Sequence, residues 1–144
     1  MSSAFAVAGK NGQLTLQTRL ATQGAGKGAG LGNLGGITLS GDGRHLFVIN
    51  ALSNTVSTFA IGRNRLTLQS SVDSGGLRPI SVTGHEDVVS VLNANGAGNI
   101  AGFRNLQGVF TPLAGSSRPH KQGVNIFEAF VAAFKGAPLQ PSFG

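Results

Sequence analysis

Short apolar runs, each about five to eight residues long and separated by Gly, Asp, Asn and Ser, recur along most of the chain. "HLFVIN" (45–50) is almost wholly apolar, as in a strand covered on both faces. "TVSTFAI" (55–61) alternates Val56, Thr58 and Ala60 against Thr55, Ser57, Phe59 and Ile61, a period of two. "RLTLQSSV" (65–72) alternates Leu66, Leu68 and Ser70 and reads as an outer strand. "GITLS" (36–40) precedes them as a largely apolar first strand, leading into the tight turn "GDG" (41–43). Four short strands therefore occupy 36–72.

The same order returns further on as "PISVT", "DVVSVLN", "NIAGF" and "GVFTPLA". Ile37 matches Ile80 and Asn50 matches Asn93, both 43 residues on, and Phe59 matches Phe103, 44 on. A period of this length holding four strands is that of a β-propeller blade. Pro112 falls in the last strand of the second repeat, an outer position where a missing N–H is tolerated. "FAVAGKNGQLTLQ" (5–17) matches "FAIGRNRLTLQ" (59–69), so the chain opens in the third strand of a blade. The glycine-rich "QGAGKGAGLGN" (23–33) then stands where "SGGLRP" stands later, as a lengthened connection from an outer to an inner strand.

The pattern changes after Arg118-Pro119. That pair is read as the counterpart of Arg78-Pro79, 40 residues earlier, which places a third inner strand next. The chain instead continues as "HKQGVNIFEAFVAAFKGAPLQPSFG". Asn125 and Glu128 have capping-box spacing, and Phe127, Phe130, Val131 and Phe134 share one helical face. Gly136 and Pro138 end it, so the spacing predicts a short helix over 125–135. The expected architecture is all-β: an incomplete β-propeller of about two and a half four-stranded antiparallel blades with a short C-terminal helix. Residues 1–119 form the partial propeller, with a half blade at 1–20 and blades at 35–72 and 78–115. Residues 120–144 form a divergent tail.

Composition narrows the function classes. The 144 residues include 23 Gly and nine Phe, but no Cys, Trp or Tyr. Without cysteine there is no disulfide, thiolate zinc site or Cys nucleophile. Net charge is +6, but the eleven Lys and Arg are scattered and not interleaved with aromatics, so no nucleic-acid partner is expected. No apolar run reaches the roughly 20 residues of a membrane helix, and "MSSAFAVAGKNG" does not read as a signal peptide. No membrane partner is expected, and the sequence does not indicate a compartment.

The motifs that mimic chemistry fail on context. Gly26-Lys27 is followed by Gly28 rather than Ser or Thr, so no Walker loop forms. Gly30 to Gly35 spells GxGxxG, but a strand comes next where a dinucleotide loop needs a helix. His45 and His85 sit at equivalent turns, His120 stands alone, and none has two further ligands at metal spacing. They read as exposed turn histidines. Ser40, Ser53 and Ser81 lack GxSxG context. Asn50 and Asn93 end second strands and read as turn hydrogen-bonders.

With this register, the sequence resembles the lactonase-family seven-bladed β-propellers, the group of 6-phosphogluconolactonase-like and 3-carboxymuconate-cyclase-like proteins. The resemblance rests on "GAGLGNLGGITLSGDGRHLFVINALSNTVSTFAI" (28–61), "SGGLRPISVT" (74–83), "VLNANGAGNIAGF" (91–103) and "TPLAGSSRP" (111–119). It covers roughly residues 4–119 and is that of an N-terminal part. It implies hydrolysis of a small anionic lactone, with no cofactor, metal or nucleotide. Arg78 and Arg118, each before a Pro at an inner-strand start, are the candidate substrate-binding residues, since a guanidinium fork suits carboxylate and phosphate. No convincing base is present, because Glu86 and Asp87 sit in a turn and Glu128 on the tail. The catalytic residues are therefore not identified. The expected chain is inactive alone; the alternative is a non-enzymatic binding or assembly module that self-associates through open blade faces.

Overall fold

A computed structural model describes residues 2–8, 10–26 and 35–119, with side chains from residue 10 onward. The helix expected over 125–135 lies outside the described residues. Eleven strands are present: β1 (Ser2–Ala8), β2 (Leu14–Ala21), β3 (Ile37–Leu39), β4 (His45–Asn50), β5 (Thr55–Ile61), β6 (Leu66–Asp73), β7 (Leu77–His85), β8 (Val88–Asn95), β9 (Asn99–Leu106), β10 (Val109–Pro112) and β11 (Arg118–Pro119). Among the described residues there is no helix.

All strand ladders are antiparallel and each sheet is a meander. β1–β2 form a two-stranded sheet, β3–β4–β5–β6 a four-stranded blade, and β7–β8–β9–β10 a second blade. The protein is thus an all-β partial propeller. The inner strands of the two blades touch: Gly35 bridges Ser81 in parallel, Val82 N–H donates to Gly35 O at 2.9 Å, and Thr38 Oγ1 donates to Val82 O at 2.9 Å.

Covering both faces of the first blade explains the apolar run in β4. Phe47 and Ile49 point toward the second blade, with Val56, and pack on Val82, Val89, Val91, Ala101, Phe103 and Phe110. The Phe47 and Phe110 rings meet edge to face with centroids 5.0 Å apart, a favoured aromatic geometry. Leu46 and Val48 point the other way, with Phe59, toward Leu20 of β2. A bulge between Thr58 and Phe59 changes the register of β6. It lets Leu66 and Leu68 join the Leu46 side while Val72 joins the Phe47 side.

The connections between sheets are locked by buried asparagines. Asn93 is fully buried on β8; its Nδ2 donates to Ser74 O at 3.0 Å, and its Oδ1 accepts from Ser74 Oγ at 2.8 Å. Ser74 lies just beyond β6, so this pair joins one blade to the next. One repeat earlier, Thr22 comes directly after β2 and Asn50 ends β4. There Asn50 Nδ2 donates to Ser57 Oγ at 2.9 Å, and Ser57 Oγ donates to Thr22 O. Ala101 stands where Ser57 stands, which removes the relay and leaves Asn93 to bond directly. Asn50 keeps the expected turn role, its Nδ2 also donating to Thr55 Oγ1 at 3.1 Å across the β4–β5 turn, and reaches the preceding sheet only through Ser57, whereas Asn93 spans the sheets directly. The glycines after Thr22 and Ser74 serve the same contact. A Cβ on Gly24 would lie 2.3 Å from Asn50 Cγ, and one on Gly76 would lie 2.8 Å from Asn93 Cγ.

The turn between β3 and β4 is organised by Asp42, whose Oδ1 accepts from Ser40 Oγ at 2.6 Å and from Arg44 N–H at 3.0 Å. These bonds, the Ser40 bond foremost, hold its carboxyl below the usual carboxylate range.

This packing has three measurable consequences. Asn93→Ala strands the buried Ser74 carbonyl and lowers stability by about 1–3 kcal/mol, read as a lower urea midpoint. Thr58 is fully buried on the Phe47 side and its hydroxyl has no partner, so Thr58→Val raises stability by about 1 kcal/mol, read as a higher urea midpoint. The folded pKa of Asp42 is depressed, so its contribution is complete above its unfolded-state pKa near 4 and is lost as pH falls through the lower folded value. In an acid titration, Asp42→Asn is less stable than the parent at neutral pH and converges on it below about pH 4.

Candidate functional site

The two ends of the blades carry different chemistry. At one end, the turn after β4 and the start of β7 enclose a cleft of about 300 Å³ lined by Ala51, Leu52, Asn54, Leu77, Arg78 and Asn95. Arg78 is half-buried there. Its backbone adopts φ 56°, a left-handed value that a residue before proline resists strongly. The conformation is held from the neighbouring blade: Arg78 N–H donates to Asn54 Oδ1 at 2.7 Å, and Asn54 is itself left-handed at φ 57°. Backbone strain of this kind, fixed by surrounding contacts, is a mark of a working position.

The guanidinium is only partly used. Nη1 reaches Asn95 Oδ1 at 3.5 Å, at the limit of a hydrogen bond, and the buried Nε has no partner. A guanidinium with an unspent donor at a half-open cleft suits a planar anion. The lining adds two exposed leucines, Leu52 and Leu77, and two amides, and it contains no acidic residue. Asp73, close in sequence, instead accepts from Gly75 N–H at 2.7 Å. Asn54 and Asn95 escaped the sequence reading. The signal for Asn54 was present, since Asn is among the few residues that accept a left-handed turn position.

Arg118 lies elsewhere, and the expected equivalence with Arg78 is corrected. The outer strand of the second blade is interrupted after Pro112 by residues 113–117, then resumes as β11. Arg118 pairs with Ile100 and Pro119 with Asn99, as Val72 pairs with Val56 and Asp73 with Thr55. Arg118-Pro119 therefore ends an outer strand and does not open a third inner one. The intervening loop folds back through Ser116, whose Oγ donates to Leu113 O at 2.7 Å and accepts from Gly102 N–H at 3.1 Å. Arg118 is exposed, and its Nη1 donates to the loop carbonyls of Gly115 and Ser117.

The opposite end holds a wider cleft of about 740 Å³, lined by Asp42, Arg44, His45, Ala60, Ile61, Glu86, Asp87, Asn105 and Gln107. His45 was expected to be exposed but is half-buried; its ring lies against Gly108, and its Nδ1 is buried without a partner. His85 is exposed. Ser40, Asp42 and His45 do come together, but Ser40 Oγ accepts from the His45 backbone N–H at 2.9 Å and not from the ring. The imidazole therefore cannot take the serine proton in this arrangement. Asp87 pairs with Arg104 at 2.7 Å, with both side chains about half exposed. Among the described residues, no group of three or more His, Asp or Glu could hold a metal ion.

Comparison with known proteins adds one finding. No curated protein and no solved structure matches the chain. The family model described as "Lactonase, 7-bladed beta-propeller" matches residues 2–107, a span that runs from the two-stranded sheet through β9. The repeated four-stranded meanders, the parallel contact of neighbouring inner strands and this match agree: the chain belongs to the lactonase family of 7-bladed β-propellers.

Proposed function

We propose that this chain carries one arc of a lactonase-type site, an anion-recognising mouth without the group that would open the lactone. The observation that carries the reading is Arg78, whose strained backbone is fixed by Asn54 and whose guanidinium keeps an unpaired Nε at the cleft. The ligand class is a lactone bearing a carboxylate or phosphate, of the 6-phosphogluconolactone or muconolactone kind.

Lactone opening also needs a water activated by a base and a polarised carbonyl. Glu86 and Asp87 lie just past the far end of β7, and the run from Arg78 to Glu86 spans about 25 Å at roughly 3.3 Å per residue. A base at that distance does not serve a lactone held by Arg78. A propeller site draws on several blades around a shared channel, and the described residues supply two blades and a half. The chain alone is therefore inactive in this reading.

A second reading, a non-enzymatic module that assembles through its open faces, is favoured by the exposed apolar side chains of the first inner strand, Ile37 and Leu39.

The test pairs turnover with binding. The purified chain hydrolyses 6-phosphogluconolactone and a muconolactone no faster than buffer. The corresponding open-chain acids shift the NMR amides of Asn54, Arg78 and Asn95, with dissociation constants of about a millimolar. Arg78→Gln weakens that binding by about tenfold or more, through loss of a charged hydrogen bond. Turnover by a monomer would overturn the claim of inactivity, and binding indifferent to Arg78→Gln would overturn the site.

A further inference from the structure

Asn95, whose amide lines the Arg78 cleft, is followed by Gly96, and the chain has one other Asn-Gly pair, Asn11-Gly12. An asparagine side chain is open to attack by the backbone nitrogen of the residue after it, and a glycine there has no Cβ to obstruct the approach. Asn95 ends β8, and its C=O accepts from Gly98 N–H at 3.1 Å. Gly96 is left-handed at φ 66°, so the residues between form a tight hairpin turn with glycine first. Asn95 and Gly96 are exposed, and water reaches both. Among the described residues Gly96 N–H has no acceptor, so the nitrogen is not tied into the ladder.

What separates the two pairs is the charge beside the amide. Asn11 lies in the exposed turn between β1 and β2, and its Oδ1 accepts from the uncharged Gln13 backbone N–H at 3.1 Å. Asn95 Oδ1 instead faces a cation, Arg78 Nη1 at 3.5 Å. Asn54 holds the Arg78 backbone in place, and the cleft lining has no carboxylate to offset the guanidinium. At that distance the bond to the resting amide is weak. It strengthens as negative charge develops on Oδ1, and a contact that favours the charged transition state over the ground state accelerates the reaction.

We propose that Asn95 is a site of self-modification, deamidated with Arg78 as the promoting group, and that the carboxylate so formed closes the anion cleft. Gly96 N loses its proton to water or hydroxide and attacks Asn95 Cγ. An N–Cγ bond forms, and the negative charge gathers on Oδ1 beside Arg78. The Cγ–Nδ2 bond then breaks and Nδ2 leaves as ammonia, with a cyclic succinimide left behind. Water opens the ring at Cγ to give aspartate, or at the main-chain carbonyl to give isoaspartate. The sum consumes one water, releases one ammonium and lowers the net charge of +6 by one, and it needs no oxidant or reductant. Either product places a carboxylate next to Arg78, where it pairs with the guanidinium and repels an incoming anion. The modification rests on the geometry of Asn95, Gly96 and Arg78; its effect on a ligand rests also on the anion-binding reading above.

Peptide mapping by mass spectrometry follows both Asn-Gly pairs in one sample of the full chain held near neutral pH, with Asn11 as the internal clock. In the folded chain Asn95 converts about tenfold faster than Asn11, the scale of one charged hydrogen bond. Unfolding in urea separates Asn95 from Arg78 and brings the two rates together. Arg78→Gln, with circular dichroism showing the fold intact, removes the advantage of Asn95 and leaves Asn11 unchanged, and Arg78→Lys restores part of it. Equal rates in the folded parent, or an advantage that survives Arg78→Gln, overturn the proposal. Asn95→Asp, which introduces the product charge directly, binds 6-phosphogluconate about fivefold more weakly than the parent. Equal binding overturns the closure of the cleft. A parent that does not bind 6-phosphogluconate overturns the anion-binding reading and the closure with it, while the rates at Asn95 still decide the modification.

Discussion

The structure depends on a constraint that no blade meets alone: both faces of its central strands are apolar, and each must be covered by a different neighbour. β4 shows it most plainly. Phe47 and Ile49 need the second blade, while Leu46 and Val48 need the β1–β2 sheet. Burying such side chains is worth about 1.5–3 kcal/mol each relative to exposure, so the contact between sheets dominates the energetics. The same constraint makes the architecture serial, each sheet being stabilised by those beside it.

Apolar contact alone does not set how one blade sits on the next, because it has little direction. The asparagine contacts supply direction. Asn93 takes both the hydroxyl and the carbonyl of Ser74, and this occurs in a fully buried setting where a mispaired amide would be costly. The chain leaves one sheet and enters the next at this point. Three residues later the same passage delivers Leu77 and Arg78 to the cleft. The strained backbone of Arg78 is thus a product of the way blades are joined, held from one side by Asn54 of the preceding blade and followed by the buried Pro79. The site geometry and the blade contact share their residues.

Much of this was legible in the sequence, for physical reasons. Period-two alternation and the 43-residue spacing of Asn50 and Asn93 reflect strands and blades directly, and the boundaries of β4 and β5 coincide with "HLFVIN" and "TVSTFAI"; Ile80, matched to Ile37 by spacing, instead falls at a bulge, and Val82 takes the place of Ile37. The choice of Arg78 as a candidate rested on its place before Pro79, where the structure has a left-handed backbone. Arg118 looked alike in sequence because "RP" recurs, but a dipeptide carries no register. The pairing of Arg118 with Ile100 depends on the loop at 113–117, whose length disguised a continuing outer strand. Asn50 and Asn93 were visible as a repeat, and Asn50 does bond across its own turn to Thr55, yet the partner of Asn93, Ser74, lies 19 residues away beyond the end of the preceding blade, past what local turn chemistry indicates.

Amide hydrogen exchange on the intact chain tests the central claim most directly, that each inner strand is ordered by its preceding neighbour. Val82 N–H and Ile37 N–H occupy equivalent places, since Val82 pairs with Val91 as Ile37 pairs with Val48, and among the described residues Val82 alone of the two has a carbonyl from the preceding blade, that of Gly35. The account predicts that Val82 exchanges as slowly as the buried strands around it while Ile37 exchanges orders of magnitude faster. Equal protection at the two positions would contradict it.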